Sequence, residues 1–207
     1  TDPHFVDRNV NLSRLVNISS SLALFRQFAI YGGKKFIFSS TGHVYGQTLK
    51  ETLSTEEDPL IPMTEYARQK IETENCLLEI AKNFGTELII LRVFSVFGSS
   101  MRKNYLAGNI ENHFKNYGSY PYINNADDVR DFLTPQHVAQ TIGKFAKIQN
   151  CESNIFNVCS GVSKTVREKV LEDFPDFPQE KFKAGHSISA RLVGNPEKLN
   201  KLLYQQT

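Results

Sequence analysis

The chain has almost no net charge: 24 Lys and Arg against 22 Asp and Glu leave +2 over 207 residues. That gives no electrostatic footprint for nucleic acid, and the local basic runs are mere pairs such as Lys34-Lys35. Cysteine is scarce and odd in number. Cys76, Cys151 and Cys159 include no CxxC pair and have no His pair beside them, which excludes a disulfide scaffold and a zinc site and reads as reduced thiols. No apolar run approaches the ~18–20 residues that a membrane span needs. Thr1-Asp2-Pro3-His4 lacks the basic and apolar regions of a signal peptide. What is present is ordinary: 40% apolar and 22% charged residues, enough for one large domain or two small ones with a substantial core, expected in the cytoplasm.

Helical and extended patterns alternate along the chain. Val10, Leu12, Leu15, Val16, Leu22, Leu24, Phe25 and Phe28 recur at helical spacing. Gly32-Gly33 ends that helix, with Lys34-Lys35 where cations favour a helix C-terminus. Phe36-Ile37-Phe38 reads as a buried parallel strand. A second helix is expected over residues 66–84, and Glu87–Phe94 is the clearest strand. Residues 99–129 read as irregular. A helix follows at Pro135–Ile148, then a short strand at Asn154–Val158. Thr165 with Glu168 makes a capping box, and Asn195-Pro196 opens a last helix. This order predicts an α/β fold with parallel strands.

Three segments carry chemistry. Ser39-Ser40-Thr41 follows a strand, at the end where open α/β sheets bind ligands. Tyr66 and Lys70 are four apart and share a helix face. Leu91–Ser95 again runs off a strand. A phenol has a pKa near ~10, too high for a base at neutral pH. A neighbouring ammonium lowers it, so Tyr66 can take a proton from an alcohol as hydride leaves the same carbon, with the Thr41 hydroxyl on the same oxygen.

Taken together, these segments resemble the extended short-chain dehydrogenases/reductases, the NAD-dependent sugar-nucleotide epimerases and dehydratases. Ser39-Ser40-Thr41-Gly42-His43-Val44-Tyr45-Gly46 is similar to the family's SSxxxVYG segment, and Tyr66–Lys70 to its YxxxK. Leu91–Gly98 resembles LRxFNxxG, Val129–Ala139 resembles RDFxxVxDVA, and Phe156–Gly161 resembles the NxGxG turn. The resemblance implies Thr41, Tyr66 and Lys70 as catalytic residues, with Asn17, Ser39, Tyr66, Lys70 and Phe94 on NAD or NADP. It implies Thr41, His43, Ser95, Arg130 and Lys183 on a nucleotide-sugar substrate, the Arg130 guanidinium suiting phosphate oxygens. It also implies a homodimer through helices near residues 17–31 and 66–84.

The departures refine this. Gly42-His43 stands where dehydratases carry carboxylates, which disfavours elimination. Ser95 replaces an Asn, Gln136 an Asp, and Lys183 a phosphate-binding Arg. The family's opening GxxGxxG turn has no counterpart, so roughly 80 residues of the nucleotide-binding fold are expected to be missing. The fold expected is an incomplete Rossmann-type, doubly wound parallel sheet with a smaller C-terminal substrate-binding lobe. Residues 1–98 form the later part of the cofactor domain, 99–129 lie in the substrate lobe, 130–158 return to the sheet, and 159–207 complete the lobe. The activity implied is NAD(P)-dependent nucleotide-sugar epimerisation. The alternatives are an NADPH-dependent 4-keto-sugar reductase and an inactive binding protein of the same fold. Tyr117, Tyr120 and Tyr122 are candidates either for a sugar or base pocket or for plain surface.

Overall fold

A computed structural model describes residues 3–47, 51–99, 101–148, 151, 154–183, 185 and 190–204. Three parallel strands, β1 (Lys35–Thr41), β2 (Glu87–Val93) and β5 (Ile155–Val158), form the first sheet in the order β1-β2-β5. β2 is central, which is why its Leu88-Ile89-Ile90-Leu91 run is uniformly apolar and fully buried. Successive side chains go to opposite faces. Phe38, Leu88 and Ile90 pack with Phe25 and Leu77 from α3 (Ser20–Ile30) and α4 (Glu65–Ala81). Ile89, Leu91 and Val93 pack with Phe145 and Leu199 from α6 (Pro135–Lys147) and α8 (Glu197–Tyr204).

The helix expected from Val10 onward forms as α2 (Val10–Arg14), a π-turn (Leu15–Ser19) and α3 in unbroken succession, with a short α1 (Pro3–Arg8) before it. At the end of α3, Gly33 N–H reaches the Phe28 carbonyl and Gly32 N–H the Ala29 carbonyl. Gly32 adopts φ +78°, the left-handed cap that glycine takes without strain. Lys35 does not serve this helix end as expected. Its ammonium donates to the Phe145 and Ile148 carbonyls at the end of α6 and pairs with Glu87 at 3.2 Å. The cation finds a C-terminus, but across the sheet.

A second sheet joins β3 (Ser95–Val96), β4 (Val129–Leu133) and β6 (Ser163–Thr165), with β7 (Arg191–Leu192) also on β4. It supports a separate core in which Ile110 of α5 (Leu106–Tyr117) meets Val170 of α7 (Val166–Asp173), Phe177 and Phe182. α5 corrects the irregular reading of residues 99–129. Asn109, Asn112 and Asn116 dilute its pattern, and Gly108 looks like a breaker. Yet that glycine is required, since a Cβ there would stand 2.1 Å from the Met101 carbonyl oxygen. The Thr165–Glu168 capping box forms as expected. Asn195 Oδ1 accepts from Glu197 N–H at 2.8 Å, opening α8. α8 departs from the expectation that all of 159–207 lies in the second lobe: Leu199, Leu202 and Leu203 return to the first core, because its apolar face matches the uncovered side of β5. Among the described residues, no helix is long and apolar enough to cross a membrane.

Candidate active site

The register of the first sheet aligns Thr41 with Val93, and Val93 with Val158, so the three strands end side by side. α4 packs on β1 and β2 beneath that edge. It starts at Thr64, whose side chain accepts from Ala67 N–H at 3.2 Å, and Glu65 in the first turn complements the helix dipole. This start sets Tyr66 and Lys70 on one face. Lys70 Nζ donates to the Ser39 carbonyl at 2.8 Å, 4.7 Å from the Phe38 ring centre and 5.8 Å from that of Tyr66. Ser39, Tyr66 and Lys70 therefore come together, with Thr41 two residues on at the strand end. The Thr41 oxygen accepts from His43 N–H at 3.3 Å.

The electrostatics differ from expectation at the phenol. Burial, and then Tyr105, push the Tyr66 hydroxyl up to about 12, so the lowering expected from Lys70 does not prevail. Burial draws the Lys70 ammonium down to about 8, with Glu74 pulling the other way. At about 8 the amine still carries its proton near pH 7, but its charge does not outweigh burial at the phenol. In this state Tyr66 holds its proton firmly and stands as a proton donor.

His43 and Arg130 share a small cavity of about 190 Å³ with Met63 and Thr64, next to the start of α4. The Arg130 guanidinium is held by Asp128 at 2.8 Å and by the Val129 and Ala190 carbonyls at 3.0 Å. His43 is exposed on the wall of that cavity. Desolvation by the surrounding protein, then the Arg130 charge, lower it to about 4, so it is neutral near pH 7.

Other expected site residues sit elsewhere. Asn17 lies in the π-turn, buried, its amide donating to Gln69 Oε1 at 2.8 Å between α4 and the preceding helices. Phe94 is 4% exposed, packed among Val44, Tyr45, Cys159 and Leu192 beneath the site. Gly42 and Gly194 leave the room that its ring fills. Ser95 is half-buried in β3, and Lys183 stands 4.2 Å over the Tyr122 ring in the second lobe.

Sequence reasoning missed a cavity of about 630 Å³ whose walls include Phe5, Arg8, Asn9, Lys103, Tyr105 and Asn109. Tyr105, and none of Tyr117, Tyr120 or Tyr122, lines it. Tyr120 packs on Phe114 and Phe177 instead. The signal available was the run Met101-Arg102-Lys103-Asn104-Tyr105, which carries two cations and no acid. The second omission is a buried ion pair: Arg92 Nη2 meets Glu74 Oε2 at 2.8 Å, both nearly inaccessible.

Residues 5–159 match the NAD dependent epimerase/dehydratase family. The chain is 28% identical over 172 residues to dTDP-4-dehydro-6-deoxyglucose reductase of Escherichia coli, which covers 81% of this chain and 54% of the reductase. Over 81 residues it is 37% identical to the putative UDP-arabinose 4-epimerase 2 of Arabidopsis thaliana, covering 39% of this chain and 19% of that protein. Its fold is that of the UDP-N-acetylglucosamine 4-epimerase from Methanobrevibacter ruminantium M1, solved with UDP-N-acetylmuramic acid, at a TM-score of 0.79 and 24% identity. That superposition takes in 98% of this chain and 66% of the epimerase. The chain thus spans about half the length of the curated reductase it matches.

Proposed function

Because this chain belongs to the NAD dependent epimerase/dehydratase family, we propose that it interconverts a hydroxyl and a ketone at one carbon of a nucleotide sugar, with NAD or NADP as cofactor, and that the net reaction is epimerisation. One observation carries this reading. Tyr66 and Lys70 lie one turn apart on α4, and Lys70 is anchored on the Ser39 carbonyl at the strand end that also bears Thr41.

The donor set fits the nicotinamide-ribose end of such a cofactor: an ammonium, a phenol and a hydroxyl converge at the C-terminal end of a parallel strand. When bound, the cofactor supplies the acceptor and donor of hydride. Lys70 would hold the ribose hydroxyls and Ser39 would lie against the same group. Tyr66 moves the proton at the sugar oxygen, and Thr41 orients that oxygen with its hydroxyl. Burial favours the protonated phenol, so Tyr66 is set to deliver a proton to a developing alkoxide.

For the substrate, Arg130 suits a diphosphate, and His43 and Ser95 suit sugar hydroxyls. The larger cavity brings Arg8, Lys103 and three asparagines to one place, which suits the anionic and polar parts of a nucleotide sugar. His43 stands where a carboxylate would serve elimination, and as a neutral imidazole it has no proton to give a leaving hydroxyl near pH 7, which argues against loss of water from the sugar. A cytoplasmic homodimer belongs to the same reading, and the exposed apolar side chains of Leu15, Val16, Leu24 and Ile30 favour the dimer.

A second reading, a keto-sugar reductase, draws on the longer match to the bacterial reductase and on the firmly held Tyr66 proton. The test offers UDP- and dTDP-hexoses with NAD, and a 4-keto-6-deoxy nucleotide sugar with NADPH, to the protein carrying this chain. Epimer formation without net NADH supports epimerisation. Stoichiometric NADPH consumption on the keto-sugar alone establishes the reductase instead. No turnover on either removes both.

A further inference from the structure

The site residues on α4 are fixed from below by a group that the reading above does not use. Glu74 lies one helical turn after Lys70 and is 1% exposed. Even-numbered residues of β1 and β2 face α4, and the register sets Ser40 directly opposite Arg92. Both reach the same carboxylate. Ser40 Oγ donates to Glu74 Oε1 in a short bond, and Arg92 donates to Oε2 through Nη2 at 2.8 Å and Nε at 3.2 Å. The far side of Arg92 is fixed in turn: Nη1 donates to the Tyr45 hydroxyl at 2.9 Å, which donates to Asn157 Oδ1 at 2.7 Å. One carboxylate therefore ties α4 to β1 and β2, and through Arg92 and Tyr45 to β5.

We propose that Glu74 is a positioning residue for the Tyr66–Lys70 pair: it locks the axial register of α4 against β1 and supplies the counter-charge that holds Lys70 as an ammonium on the Ser39 carbonyl. The geometry ties the two halves together. Ser40, which Glu74 holds, is the residue between Ser39, whose carbonyl receives Lys70, and Thr41. Slippage of α4 would move Lys70 off that carbonyl and Tyr66 away from Thr41 together. Around Lys70 Nζ stand the Ser39 carbonyl and Phe38 ring from β1, and Tyr66 and Glu74 from α4. Glu74 is the carboxylate acting on it, opposing the burial that favours the neutral amine.

The inference rests on the functional reading only for what Lys70 serves, and its first readout needs no substrate. Lysines of the protein carrying this chain are reductively ¹³C-methylated and titrated by NMR, with the Lys70 signal identified by its loss in Lys70→Arg. In Glu74→Gln the Lys70 midpoint is expected to fall by about one pH unit, and Glu74→Asp should recover most of it. Should Glu74→Gln fail to fold, the double variant Glu74→Leu/Arg92→Leu removes the pair without stranding a charge; because the Arg92 cation goes too, a smaller fall in the same direction is expected, and no fall overturns the proposal. An unchanged Lys70 midpoint in the folded variant, or no recovery with Asp, overturns the proposal. A shifted midpoint in a protein that turns over no nucleotide sugar upholds the role of Glu74 and sinks the functional reading instead. Where turnover is present, Glu74→Gln should lower kcat with KM little changed, because the residue touches no substrate.

Discussion

The chemistry proposed for Tyr66 depends on one proton. Removing the hydroxyl by Tyr66→Phe leaves the ring, the helix and Lys70 in place, so cofactor contacts should survive while turnover falls by about 10²–10⁴-fold. Steady-state kinetics on the active substrate, with cofactor binding by calorimetry, check both halves. His43 gives a second residue-scale expectation. Its folded-state value, about 4, lies below its ordinary 6.5. The unfolded chain therefore binds the proton first as pH falls, and the His43 contribution to stability is lost between 6.5 and about 4. Because the ring keeps an open face, solvent tempers the effect. Urea midpoints across that range should decline less steeply in His43→Gln than in the parent, and parallel curves would remove His43 from the acid sensitivity.

Among the elements, α4 carries the most consequence, for it has a cap at its start and an ion pair in its middle. Thr64→Ala removes the bond to Ala67 N–H and should cost about 1 kcal/mol. The loss falls on the turn that holds Tyr66, so activity should suffer more than in Thr165→Ala, which removes the cap of α7, a helix that carries none of the site residues. Arg92→Met strands Glu74 in a dry interior and should destabilise by about 3–5 kcal/mol, whereas replacing both partners with leucine is expected to be far milder. Denaturant unfolding of the two variants against the parent separates these outcomes. If the single and double variants lose equal stability, the pair does not owe its importance to mutual compensation.

On the scale of the whole molecule, the outer face of the first three helices is the outlying feature. Leu12, Leu15, Val16, Leu24 and Ile30, spread over α2, the π-turn and α3, are each 45–62% exposed, and Tyr31 is 85% exposed. Single exposed apolar residues are ordinary, but this many on consecutive helical segments mark a contact surface or a liability. Leu24→Lys with Val16→Lys should therefore turn a dimer to monomer in sedimentation, or reduce light scattering if the face only aggregates. Identical behaviour of variant and parent would remove this face from association. Among the described residues, β1 lies at the edge of its sheet.

What the amino-acid sequence determined by itself was local and periodic. The β2 run, the α4 face with Tyr66 and Lys70, the Thr165 capping box and the Gly32 helix end all follow from spacing, propensity and capping over a few residues. The parallel α/β fold follows from their order. Tertiary structure decided whatever depends on partners distant in the chain. α5 forms despite its glycine and asparagines because Ile110 finds Val170 and Phe177. Lys35 caps α6 rather than its own neighbour, and α8 returns to the first core. Ser40, Glu74 and Arg92 become one network only because the strand register and the helix face coincide. The Tyr66 phenol shows the limit most directly. Its spacing to Lys70 is written in the sequence, but the direction of its shift is set by burial, a property of the whole packed molecule.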